Sequence, residues 1–139
     1  MNVQTTETQL VIENFLKFLS QRDLNKITTL FAEDVDWFIP GDENKAPWLG
    51  KRRKKNEVEQ FYDVLWKNTE PVSANISNIL IDGENAVITG EFSTKMLQTG
   101  KIVDSIFCIE LVVQNNLIIK YRLLEDSYAV SQSLSSRNN

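Results

Sequence analysis

The sequence contains no histidine, a single cysteine, three prolines and five glycines in 139 residues. Without histidine there is no Ser-His-Asp or Cys-His nucleophile system and no His-ligated metal site. The lone Cys108 excludes an intrachain disulfide and fits a reducing compartment. No apolar run approaches the ~18 residues a membrane helix needs. The N-terminus is polar and acidic, unlike a secretory leader. These absences lead us to expect a cytoplasmic chain with no membrane attachment, no metal and no cofactor. Any acid–base chemistry falls to Asp, Glu, Lys or Tyr.

What is present is ordinary for a globular protein: 42% hydrophobic and 24% charged residues, in a length that suits one domain. The net charge of −4 argues against a nucleic-acid partner. One domain over residues 1–130 is expected, followed by a loose polar tail, SQSLSSRNN, over residues 131–139.

Apolar residues first recur at helical spacing. Val11, Phe15, Phe18 and Leu19 mark a helix that Thr5 or Thr6 can cap and that ends near Gln21. Asp23 can cap a second, short helix with Leu24, Ile27, Leu30 and Phe31 on its apolar face. The stretch LFAEDVDWFIPGDENKAPWLG, residues 30–50, is the centre of the pattern. Val35, Trp37 and Ile39 share one face of a strand that Pro40 and Gly41 end. The run KRRKK, residues 51–55, reads as a solvated loop; an anionic substrate tail or an acidic partner surface is the functional reading. Asn56 and Glu59 suit a helix start, with Val58, Phe61, Tyr62 and Leu65 on the apolar side.

After Pro71 the period changes to two. Four strands are predicted, over residues 73–81, 85–96, 101–113 and 117–124, with turns at Gly83, Gly100 and Asn115-Asn116. Strands joined so tightly are antiparallel. The fold class is therefore α+β, with three N-terminal helices packed on one face of a curved, mainly antiparallel sheet. An incompletely covered concave face leaves a natural ligand cavity.

This element order resembles the cone-shaped nuclear transport factor 2-like fold. WFIPGDENKAPWLGKRRKKNEVEQFY resembles the SnoaL-like, polyketide cyclase-related group, through Trp37, Ile39, Pro40, Gly41, Asp42, Pro47, Trp48, Gly50 and Arg53 in order. The last strand of that group often ends in an aromatic, one residue and an Asp; here IIKYRLLEDSY supplies Asp126, with Leu124 at the aromatic position. The group holds cyclases, isomerases, dehydratases and epoxide hydrolases, so fold transfers better than function. By resemblance to ketosteroid isomerase, Ile39 takes the place of the base, Phe15 that of the oxyanion-hole Tyr and Ile109 that of the protonated Asp. All three are apolar, which excludes that route.

The resemblance implies that Asp126 faces the cavity, with Arg122 on the same side of the strand to hold it ionised. Phe15, Trp37, Ile39, Asp42, Trp48, Phe107, Ile109 and Leu124 are the implied ligand contacts. The plain readings are a rim ion pair for Asp126 and Arg122, core for the tryptophans and a turn residue for Asp42. Two functions follow. One is a small hydrolase, lyase or isomerase acting on a compact apolar molecule through Asp126 and Arg122. The other is a non-catalytic ligand-binding or dimerisation module. The resemblance also implies a homodimer through the outer sheet face, where Cys108, Glu110 and Val112 project.

Overall fold

The computed structural model describes residues 3–135. Its elements are α1 (Val3–Gln21), α2 (Leu24–Thr28), β1 (Phe31–Ile39), β2 (Gly50–Lys54), α3 (Lys55–Asn68), β3 (Thr69–Asp82), β4 (Asn85–Met96), β5 (Ile102–Gln114), β6 (Leu117–Glu125) and α4 (Ser127–Ser133). Six strands form one sheet in the order β2-β1-β6-β5-β4-β3. Only β1 and β6 run parallel; the other neighbours are antiparallel. This is the anticipated α+β cone, and among the described residues no helix is long and apolar enough to cross a membrane.

The helices form where the apolar stripe recurs. On α1 the buried residues are Thr8, Val11, Ile12 and Phe15, one face of a 3.6-residue repeat. Asp23 caps α2 by accepting a hydrogen bond from the Lys26 N–H at 3.0 Å. α2 stops at Thr28, earlier than its apolar pattern suggests. The Thr28 and Thr29 hydroxyls donate back to the Leu24 and Lys26 carbonyls, and the Leu30 carbonyl accepts from Ile118 N–H of β6. Leu30 and Phe31 therefore join the strand side of the core.

The basic run is a strand over Lys51–Lys54, with Lys55 opening α3, and not a loop, although Lys51, Arg53 and Lys54 are solvated as expected. It pairs with β1, and Lys54 bridges to Asp34 across the pair. Arg52 turns inward over the Phe61 ring at 5.7 Å and donates to the Glu57 carbonyl at 2.9 Å and the Trp48 carbonyl at 3.2 Å. α3 then starts at Lys55, with Lys54 as its cap, two residues before the anticipated Asn56. Glu57 accepts from the Arg53 and Lys54 N–H groups, both at 2.9 Å, and these bonds hold its carboxyl below the usual range.

The tail also differs. Residues 127–133 form α4, and Val130 and Leu134 are 3% and 9% exposed. Thr99 donates to the Ser133 carbonyl at 2.5 Å and Lys101 to the Ser135 carbonyl at 2.8 Å. The serine-rich composition hid this because two apolar residues and remote donors suffice to dock so short a helix. The rest of the anticipated tail, residues 136–139, lies outside the described residues.

The core centres on Trp37, 1% exposed. Its indole stacks on Tyr121 at 4.0 Å and 14°, meets Phe61 edge-on at 4.9 Å and lies 5.7 Å from Phe31. Such pairs add to a large area term. Trp37→Ala should lower unfolding stability by about 3–5 kcal/mol, whereas Tyr128→Ala, at a side chain 73% exposed, should change it by less than about 0.5 kcal/mol; urea melts of the two variants check this.

Candidate functional site

β6 decides which polar groups enter the cone. Tyr121 is 3% exposed and Leu123 packs on the core, so Glu125, two residues on, projects from the same covered face. Arg122, Leu124 and Asp126 therefore project from the outer face, and Leu124 is 53% exposed. This overturns the placement of Asp126, Arg122 and Leu124 in the cavity. Arg122 pairs with Asp36 instead, its two Nη atoms donating to the Asp36 carbonyl and Oδ1 at 2.9 Å each. Asp126 is the cap of α4: its Oδ1 accepts from Ala129 N–H at 3.0 Å, and its own N–H donates to Ser105 Oγ at 2.9 Å. No Asp–Arg pair exists between positions 126 and 122.

The other anticipated contacts divide in the same way. Phe15, Trp37, Ile39, Trp48 and Ile109 are at most 5% exposed and belong to one continuous core. Phe107 is half-buried at its edge. Asp42 is an exposed turn residue that accepts from Asn44 N–H at 3.0 Å. Two open surface concavities, of about 540 and 640 Å³, lie elsewhere; Asp126 borders the first, and neither takes in Glu125 or Trp37. Among the described residues no cluster of acidic or cysteine side chains could hold a metal ion.

The polar groups on the covered side include Glu125, Tyr121, Tyr62, the Trp37 indole, Ser105 and the inward Arg52 guanidinium. Burial alone pushes the Glu125 carboxyl up to about 7. Burial raises the Tyr121 phenol, the neighbouring Tyr62 hydroxyl lowers it, and negative charge on Glu125 raises it again. Burial likewise raises Tyr62 well above the ordinary phenol value, and the Tyr121 phenol acts on it electrostatically. Yet Tyr62 Oη and Trp37 Nε1 are both shielded from solvent without a partner of hydrogen-bonding geometry. A buried polar atom without a partner costs about 1–3 kcal/mol. β1, α3 and β6 thus carry a buried polar set, two of whose members have donors to spare. The alternation in YRLLED could have shown this: Tyr121 and Leu123 require the covered side, and that carries Glu125 with them.

The comparisons agree with this architecture. The model of the SnoaL-like domain matches residues 12–121, and the chain belongs to that family. A nuclear transport factor 2-like protein of Burkholderia xenovorans LB400 superposes with a TM-score of 0.85 at 17% identity, over 96% of this chain and 100% of that one. A limonene-epoxide-hydrolase-like epoxide hydrolase of Mycobacterium tuberculosis superposes with a TM-score of 0.73 at 18% identity, over 94% of this chain and 90% of that one. A proposed SnoaL-like polyketide cyclase of Mesorhizobium loti gives 0.69 at 16% identity, over 83% and 96%. No curated protein matches the sequence. At these identities the solved structures establish the fold alone.

The raised carboxyl has a consequence for stability. The folded form holds the Glu125 proton to about pH 7, whereas the unfolded chain releases it near the usual 4.5. The native state therefore binds more protons between these values, and stability falls as pH rises through that window. Glu125→Gln should flatten this part of the stability–pH curve and stabilise the protein above pH 7. Denaturant melts from pH 4 to 8 test this, and an unchanged curve would remove the buried carboxyl from the account.

Proposed function

We propose that the protein binds a mostly apolar small molecule within the cone and moves a proton on it with Glu125, as a hydrolase, lyase or isomerase. The observation that carries this is a carboxyl on the covered face of the sheet whose shift has burial as its only cause. No cation holds it ionised, so it titrates where a general acid or base is most useful near neutral pH. Tyr121, four residues earlier on the same face, and the unpartnered Tyr62 and Trp37 donors supply groups that could meet an oxygen of the ligand. The epoxide hydrolase, the proposed cyclase and the family itself are consistent with such chemistry in this fold.

A non-catalytic carrier is the second reading. It is favoured by the apolar character of Phe15, Ile39 and Ile109, where ketosteroid isomerase by resemblance has its polar groups. A screen of small epoxides, enones and hydroxy ketones separates the two. On any substrate turned over, Glu125→Gln should lose at least about a hundredfold in rate, and Asp126→Asn, which keeps the α4 cap, should retain it. Saturable binding with no turnover in the wild type would favour the carrier.

We also propose a homodimer through the outer sheet face. Ile106 and Leu124 stand 74% and 53% exposed there, with half-buried Cys108 paired across from Leu124. Exposed apolar residues gathered on one face suit an interface better than water. The Lys120–Glu110 pair at 3.2 Å lies on the same face. Light scattering should give twice the 16.0 kDa chain mass, and Ile106→Lys should shift the protein toward monomer. A wild-type monomer at micromolar concentration would rule the interface out.

A further inference from the structure

The two edges of the sheet are unlike. β2, the edge beside β1, is five residues long, and four of them are basic. A short cationic edge strand repels a further strand. β3, the edge beside β4, is 14 residues long, and every residue from Glu70 to Leu80 is exposed. Among the described residues no strand lies along its outer side. Residues 71–81, PVSANISNILI, carry no charge. Val72, Ile76, Ile79 and Leu80 are 56%, 44%, 44% and 62% exposed. Ile79 pairs with the buried Ile88 and so projects on the covered side, while Leu80 projects on the outer side. The edge is therefore apolar on both faces.

Hydrogen bonds tie the helical layer to the two ends of this edge. Thr8 donates to the Gly83 carbonyl at 2.8 Å, and Arg22 donates to the Thr69 carbonyl at 2.9 Å. Register shifts between Pro71 and Ser73 and between Ile76 and Asn78 bend the strand. Past the second shift, residues 78–82 pair with β4 in unbroken register up to the turn. The charges at the ends decide what fits. Glu70 and Asp82 bound the uncharged run. A second copy pairing along the whole edge meets like charge at both ends, whichever way it runs. Antiparallel, Glu70 of each copy lies beside Asp82 of the other; parallel about a two-fold axis, Glu70 lies beside Glu70 and Asp82 beside Asp82. Like charges facing across a strand pair are destabilising. A strand with a basic residue at each end meets opposite charge at both. Glu70 already has Lys95 opposite on β4 and Arg22 within electrostatic reach, so Asp82 is the stronger anchor.

We propose that the β3 edge docks a protein partner, which adds one extended strand there, uncharged and apolar in its middle and basic at its ends, above all at the end beside Asp82. Main-chain hydrogen bonds to the open edge supply the affinity, and alternate side chains of the added strand pack beside Ile76 and Ile79 on one face and Leu80 on the other. This surface is separate from Glu125 and from the outer face of β5 and β6, so it stands whether or not the protein is an enzyme or a dimer.

Fluorescence anisotropy of the full-length protein with synthetic strands tests this. The probe is a peptide of alternating threonine and valine with lysine at each end, matched in length to residues 71–81. N-methylation of alternate residues leaves it one pairing edge. The wild type should bind it about tenfold or more tighter than the same peptide with glutamate at each end. Glu70→Lys combined with Asp82→Lys should reverse that preference; both side chains are exposed, so the variant should fold, and a melting curve confirms it. Amide exchange in the complex should slow along β3 and stay unchanged along β2. Equal affinity for the two peptides, no binding of the lysine-ended one, or protection away from β3 would overturn the proposal. So would assembly of the protein alone beyond a dimer in light scattering, reversed by Leu80→Lys, since that outcome assigns the edge to a second copy.

Discussion

The parallel pairing of β1 with β6 is the constraint on which the interior depends. Trp37 lies opposite Tyr121 in that register, and their rings stack at 4.0 Å. Side chains alternate with period two, so fixing Tyr121 inward fixes Leu123 and Glu125 inward and Arg122, Leu124 and Asp126 outward. A slip of one residue would expose Tyr121 and Leu123 and turn Arg122 into the core. The register is held on both sides: the Arg122 guanidinium bonds Asp36 on the outer face while the indole and phenol stack on the inner one. A local aromatic contact thus determines which acidic residue is desolvated, 88 positions along the chain from Trp37.

Much of this was legible in the sequence. The element order, the α2 cap at Asp23, the inward set Val35, Trp37 and Ile39, and the outward set Cys108 and Glu110 all follow from period and turn chemistry. The misread parts share a cause: each required knowing a partner. KRRKK becomes a strand because β1 offers an edge and Phe61 a ring for Arg52. Residues 127–133 become a helix because Thr99 and Lys101 bond the end of that segment and the core accepts Val130. On β6 the error was different. The local pattern already carried the answer, since Tyr121 and Leu123 outweigh Arg122 for the covered side. A motif position borrowed from the family pointed to Asp126, one residue away, and one residue is a whole face.

That single residue changes the electrostatics of the site. Arg122 is close to Glu125 in sequence but lies on the opposite face and is engaged with Asp36. A cation beside it on the covered face would have held the carboxyl ionised at neutral pH and left it of little use as an acid or base. Among the described residues no charge is close enough to oppose desolvation at Glu125, and the carboxyl rises to about 7. The ion pair on the outside and the raised carboxyl inside are two results of one alternation.

The polar set in the core is also costly to keep. Trp37 Nε1 and Tyr62 Oη have no partner, Tyr121 is pushed up by burial, and Glu125 resists ionisation. Apolar replacements of similar shape would remove these penalties without disturbing the aromatic packing. The fold makes such replacements elsewhere: Phe15, Ile39 and Ile109 are apolar where ketosteroid isomerase, by resemblance, is polar, and all three are at most 4% exposed. On the proposed reading, the polar focus of the cone has moved from α1, β1 and β5 to the far end of β6, supported by phenols from β6 and α3.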